Sequence, residues 1–243
     1  MRKSIIKLSY KVKGIDDLKL LEDYRKKFHM PLEEIEDEQL AAFKKLFSYC
    51  KVAIPYYTAV FSKLKLSEGD FKSLSDLEKI PVLTKNEIVK SWGRFVPANP
   101  SKNFFKAATG GSTGKPLKYR ISQQCYSRGK ALLYRDFGHA SYDLGDKIVV
   151  LAGGSLVNKS ISLKVRIKNK IHNRISLSSY GISPEKILEY YKMINRFEPV
   201  YLRGYASSIA YFAEFLMENN LTLKKKLKGI FSTAEVLGLN QRN

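Results

Sequence analysis

Thr109-Gly110-Gly111-Ser112-Thr113-Gly114-Lys115-Pro116 is the stretch around which the rest of the chain is organised. Three glycines and three hydroxyl residues stand together and a lysine comes directly after them. Glycine reaches φ > 0 without a Cβ clash, so backbone N–H groups can turn inward toward an anion. The hydroxyls add donors, and Lys115 adds a point charge suited to phosphate. The flanks, Asn103–Ala108 and Leu117–Ile121, read as short strands, so the loop is expected to join two strands. It is not a Walker A loop. The frame from Gly110 to Gly114-Lys115 is one residue short, and Pro116 stands where that motif needs a Mg²⁺-binding Ser or Thr opening a helix. The competing reading is a small, polar hairpin loop with no ligand.

A chain of 243 residues can bury a substantial core, as one large domain or two small ones. Its 44% apolar and 27% charged residues are globular values. No apolar run has the length of a membrane span, and Lys7 and Lys11 break up any signal-peptide core. Cys50 and Cys125 lack metal or redox spacing, which favours buried thiols in a reducing compartment and hence the cytoplasm. Lysine and arginine exceed the acids by 43 to 23, a net charge of +20. Six basic residues and no acid lie between Lys159 and Arg174. That stretch is the sole footprint for nucleic-acid binding, and it rests on charge alone.

Residues 1–100 read as a helical segment and 101–243 as an α/β portion. Helices are expected over Asp17–Phe28, Asp37–Cys50, the residues from Tyr56 toward Leu64, and a turn at Ser75–Lys79. Thr84 and Glu87 form a capping box that opens a helix running to about Trp92. Past the loop come a helix from about Gln123 to His139 and a buried strand, Lys147–Leu151, closed by Gly153-Gly154. Ile161–Ile167 fits helix and strand equally. Ser183-Pro184 starts a helix that ends before Pro199. Val200–Arg203 and Gly229–Ser232 read as strands, with a helix between them that opens near Gly204–Ser208. Strands alternating with helices argue an α/β fold with a largely parallel sheet.

Several stretches together resemble one family. The loop is similar to the phosphate-loop signature of adenylate-forming enzymes, within the phenylacetate–coenzyme A ligase and capsular-polysaccharide-biosynthesis group. Ile54-Pro-Tyr-Tyr57, Ile80–Lys85, Tyr201–Ser208 and Ser232-Thr-Ala-Glu235 resemble its other landmarks, in the same order. The resemblance implies the large N-terminal domain of an enzyme that joins ATP, with Mg²⁺, to a small-molecule carboxylate. The product is an acyl adenylate, and a thiol such as coenzyme A, or an amine, then takes the acyl group. Thr109, Gly110, Gly111, Ser112, Thr113, Gly114 and Lys115 would hold the ATP phosphates. Glu235 would lie near the adenine, and Gly204 and Tyr205 near the acyl pocket.

The chain ends at Asn243, before the family's Tyr-Gly-x-[Ser/Thr]-Glu stretch, its ribose-binding aspartate and its C-terminal lid. The expectation is an incomplete N-terminal portion lacking the lid. It could be a split gene with a separately encoded C-terminal half, a truncated reading frame or a fragment. No catalytic residue and no metal ligand is assigned: His29, His139 and His172 are isolated, and Ser207-Ser208 lacks the nucleophile-elbow frame. Glu235 also reads as an ordinary helix-start glutamate favoured by the dipole. A truncated paralogue that binds nucleotide or a partner without turnover is the alternative to the enzyme.

Overall fold

The computed structural model describes residue 6 and residues 17–97, 99–100, 104–109, 116–153 and 163–242. It divides into two compact units, Glu22–Ser127 and a second made of Met1–Leu21 with Arg128–Asn243. The strands on either side of the glycine loop fall in the same unit as the helices before them. This division therefore lies later in the chain than the boundary near residue 100 expected from sequence.

In the first unit, α1 (Asp17–Lys27, which begins in the other unit) is followed by α2 (Leu32–Ala53) and α3 (Pro55–Lys63). α2 starts five residues before the expected Asp37, with Glu33 and Glu34 in its first turn, where acidic side chains favour the helix dipole. Pro55 does not leave a gap after α2 but opens α3 at its first position, where a missing N–H costs nothing. The helices meet through aromatic rings. Phe47, Phe61 and Phe71 are buried, and Phe47 stacks on Phe61 at 4.4 Å and lies 4.9 Å from Phe71. Three capping boxes punctuate the chain after α3: Ser67 with Asp70, Ser73 with Asp76, and the expected Thr84 with Glu87. The helix from Thr84 is shorter than expected. α4 covers Lys85–Lys90 and gives way to a 3₁₀ turn at Trp92–Phe95. The antiparallel hairpin of β1 (Phe104–Ala108) and β2 (Lys118–Ser122) completes this unit, as expected for the strands flanking the loop.

The second unit is built on a four-stranded parallel sheet. α5 (Gln123–Phe137) leads into it and ends in a 3₁₀ turn at Gly138–Ala140 rather than continuing to His139 as a helix. Then come β3 (Ile148–Ala152), α6 (Leu163–Ile171), β4 (Arg174–Ser178), α7 (Pro184–Phe197), β5 (Tyr201–Tyr205), α8 (Ala206–Glu218), β6 (Gly229–Thr233) and α9 (Leu239–Arg242). The strand order is β4-β3-β5-β6. The ambiguous stretch resolves as helix from Leu163, and the strand β4 directly after it was not expected. Period-2 alternation divides the sheet's faces. Val149, Leu151, Leu177 and Leu202 form one core with Ile187, Tyr190 and Ile194 of α7 and Phe212 of α8. Ile148 and Tyr201 form another with Phe137 and Tyr142.

Phe47 is the centre of the first unit's core, touching rings on α3 and on the segment that holds Phe71. Phe47→Ala is expected to lower unfolding free energy by about 3–5 kcal/mol, the range for removing a buried aromatic ring. Urea unfolding with circular dichroism as the readout checks it, and a loss below about 1 kcal/mol would mean the rings do not carry this core.

Candidate functional site

β3 and β5 are hydrogen-bonded neighbours, yet the chain leaves them in opposite directions: β3 is followed in the sheet by β4 on one side, and β5 by β6 on the other. In an open parallel sheet such a switch point leaves a crevice beyond the carboxyl ends of the strands, where ligands bind. The residues there are Gly153, Tyr180, Tyr205 and the Thr233-Ala234-Glu235 corner.

Two glycines make this end possible. A Cβ on Gly204 would lie 2.4 Å from the carbonyl oxygen of Leu151 and 3.1 Å from Ile209 of α8. The strand pairing and the helix after it therefore both exclude a side chain. A Cβ on Gly153 would lie 2.9 Å from the Tyr180 ring and 3.0 Å from the Tyr205 hydroxyl. The absence of that atom lets two tyrosines close over the end of β3. Tyr205 is half-buried and Tyr180 is 69% exposed, so this aromatic corner is open to solvent.

Glu235 is held by an unusual turn. Tyr205 is the N-cap of α8 but supplies no side-chain cap. The Glu235 carboxylate supplies it from the neighbouring strand's end: the backbone N–H of Ser207 donates to Glu235 Oε2 at 2.8 Å. Ala234 sits at φ 64°, in the left-handed region that a Cβ disfavours, and this aims Glu235 back at α8. The Ser207 backbone N–H, and then its hydroxyl, hold the carboxyl below the usual glutamate range. The helix-start reading of Glu235 is thus right in kind, but the residue it caps lies 28 positions upstream rather than beside it. Tyr180, Gly153 and the Ser207 N–H were not singled out from the sequence. The signal for Gly153 was the glycine pair that ends the β3 run.

Among the loop residues, Thr109 is described and Gly110, Gly111, Ser112, Thr113, Gly114 and Lys115 lie outside the described residues. The loop's base is closed. Thr109 N–H donates to the Leu117 carbonyl at 3.0 Å, and Leu117 N–H donates to Thr109 Oγ1 at 3.0 Å. That extends the ladder one step past the Ala108–Lys118 pair. Thr109 is therefore already used as an acceptor in closing the hairpin. Of the basic stretch, Lys159 also lies outside the described residues. Lys168 and Lys170 belong to α6, whereas Arg174 leaves that helix and enters β4, where its Nε donates to Ser176 Oγ at 3.2 Å. Among the described residues no group of His, Cys, Asp or Glu is placed to hold a metal, and no helix is long and apolar enough to cross a membrane.

No family model matches the chain. Protein CapK of Staphylococcus aureus is 29% identical over 199 residues, which are 80% of this chain and 43% of CapK. A 2-hydroxyisobutyryl-CoA ligase, solved in an open conformation with 2-HIB-AMP and CoA, superposes with a TM-score of 0.67 at 20% identity. That match covers 85% of this chain and 49% of the ligase. The same ligase in its postadenylation state with R3-HIB-AMP gives a TM-score of 0.61 at 19% identity, covering 79% and 41%. The fold is shared with that CoA ligase. The resemblance read from the landmark residues is borne out at that level, and the chain spans less than half the length of the relatives it matches.

The Glu235 clamp has a pH signature. A carboxyl lowered in the folded state contributes fully above the ordinary glutamate pKa, and the contribution is lost as pH falls through the lowered value. Glu235→Ala is expected to lower the urea midpoint slightly at neutral pH, and the difference from wild type should shrink as the pH falls below the ordinary glutamate range. Urea titrations at neutral and acid pH check it. An equal difference at both would assign the effect to packing instead.

Proposed function

We propose that the chain is part of an acyl-adenylate-forming ligase acting on a small carboxylate. The observation that carries the reading is the switch point of the sheet in a fold shared with a ligase solved with an acyl-AMP and CoA. The overall reaction has two steps. A carboxylate oxygen attacks the α-phosphorus of ATP, forming the acyl–AMP anhydride as the bond to pyrophosphate breaks. A thiol, coenzyme A in this reading, then attacks the acyl carbon, and AMP leaves.

Such chemistry depends mostly on positioning and on neutralising charge that develops on oxygen. The glycine loop suits the first need: its backbone N–H groups and Lys115 would face the ATP phosphates, with the hairpin base fixed by Thr109 and Leu117. At the strand ends, the corner at Thr233-Ala234-Glu235 would border the adenine, and Gly204 and Tyr205 the acyl group. Gly204 would act there indirectly, by letting β5 lie close against β3, and Tyr205 by an aromatic wall. Mg²⁺, where it accompanies the nucleotide, would supply charge neutralisation at the phosphates, and no described acidic cluster holds it. A role as a nucleotide-binding protein without turnover differs in one respect only, the absence of carboxylate-dependent exchange.

The test is ATP–pyrophosphate exchange across a panel of carboxylates, paired with calorimetric titration of ATP. Carboxylate-dependent exchange is expected. Lys115→Ala should weaken ATP by about ten- to a hundredfold, the equivalent of losing a charge-assisted contact of roughly 1.5–3 kcal/mol. Gly111→Val should weaken it further by blocking the approach of backbone to phosphate. Binding without exchange would favour the non-catalytic role. Equal affinity in wild type and both variants would remove the phosphate loop from the account.

A further inference from the structure

The sheet face that carries Tyr205 also carries two arginines that make no ion pair among the described residues, although Asp143 and Asp146 lie near Tyr142 beside Arg174. On β3, Val150 pairs with Ser176 of β4 on one side and with Arg203 of β5 on the other. Period 2 puts the side chains of Arg174, Ser176, Val150 and Arg203 on the same face. Arg174 begins one rung lower, beside Ile148, but the bond from its Nε to Ser176 Oγ turns the guanidinium up toward the Val150 rung. The two cations thus flank a buried valine, from opposite sides, on one level of the sheet. Arg203 lies with its guanidinium carbon 5.5 Å from the centroid of the Phe137 ring, which walls the site.

Neither guanidinium makes an ion pair among the described residues, and that of Arg203 donates no hydrogen bond there. Burial, and then the charge of Arg174, depress the pKa of Arg203; no carboxylate acts on it. A guanidinium carries five N–H donors in a planar fork that matches carboxylate or phosphate, and desolvating one without an acceptor is costly. Two of them, half-buried on one sheet face, are left short of the acceptors that their donors need, and an oxyanion would supply them.

We propose that Arg174 and Arg203 hold an oxyanion, the carboxylate or phosphate end of a small ligand, over Val150. The site stands on these residues alone; the choice of ligand rests on the ligase reading. Tyr205 is two residues along the same face from Arg203, about 6.6 Å at the rise of a parallel strand. An acid activated beside Tyr205 could therefore reach Arg203 with a second, non-reacting anionic end. This names the substrate class as acids with two anionic groups.

Calorimetric titration of inorganic phosphate and of succinate, with acetate as the singly charged control, tests the site without any turnover. Wild type should bind at least one dianion, and acetate more weakly. Arg203→Met, which keeps the stem against Phe137, and Arg174→Met should each weaken it by about ten- to a hundredfold. A preference for phosphate or for succinate tells a phosphoryl from a carboxylate end. If Arg203→Met does not fold, Arg174→Met and Arg203→Lys decide, the lysine keeping the charge but losing the fork. No binding of either dianion at millimolar concentration, or equal affinity in wild type and the variants, overturns the proposal. Dianion binding that the variants abolish, in a protein that shows no ATP–pyrophosphate exchange, would uphold the site and remove the ligase reading instead.

Discussion

The close approach of β5 to β3 at Gly204 is the constraint on which the second unit depends. A carbonyl oxygen occupies the space where any other residue would carry a Cβ, and Ile209 of α8 closes the far side. Because that contact is allowed, the two strands pair through Val150, Arg203 and their neighbours, and α8 starts directly from the end of β5. The pairing also joins strands whose connections diverge, which opens the crevice. The glycine that lets the sheet form is also one that we propose to lie near the acyl group.

The same region shows how the fold maintains order at a place that must stay open. α8 has no side-chain cap of its own, and a strained Ala234 turns Glu235 across from the next strand to provide one. An exposed left-handed alanine is costly by about 1 kcal/mol or more. Such strain persists where surrounding structure over-determines it, and it concentrates at binding sites. At the other end of the sheet Asn173 (φ 51°) and Glu198 (φ 53°) also take left-handed conformations, but aromatic packing dominates there. There Tyr134, Phe137, Tyr142, Tyr201 and Phe231 form a closed aromatic cluster, and Tyr201 donates to the Ala140 carbonyl at 2.9 Å. One end of the sheet is sealed by rings, with Gly229 leaving room for Ala140 and Tyr201, and the other carries the tyrosine corner and the Glu235 cap.

Much of the fold was legible because its signals are local. Ser183-Pro184 opens α7 through a side-chain cap, with the Ser183 hydroxyl accepting from Lys186 N–H. Thr84 and Glu87 make their box, and the apolar run before Gly153 is β3, one of the sheet's two inner strands. β4 was missed although Arg174-Ile-Ser-Leu-Ser178 alternates cleanly, because the basic, isoleucine-rich stretch before it fits two periods and blurs where the helix stops. The site was harder to read for a different reason. The Glu235–Ser207 clamp and the placing of Arg174 and Arg203 on one sheet face on either side of β3 join residues 28 and 29 positions apart, and spacing along a chain says nothing of register across a sheet. The landmark residues were found through their likeness to a family, and the glycine loop through composition; its central residues lie outside those described.

The central claim is that nucleotide sits at the carboxyl ends of β5 and β6, between the tyrosine corner and Glu235. Photolabelling with 8-azido-ATP and subsequent peptide mapping address it most directly, since the azide reports what lies beside the adenine. The account predicts labelling within Ser232–Leu237, competed by ATP. Labelling confined to the basic residues of α6, or label that ATP does not displace, would contradict it.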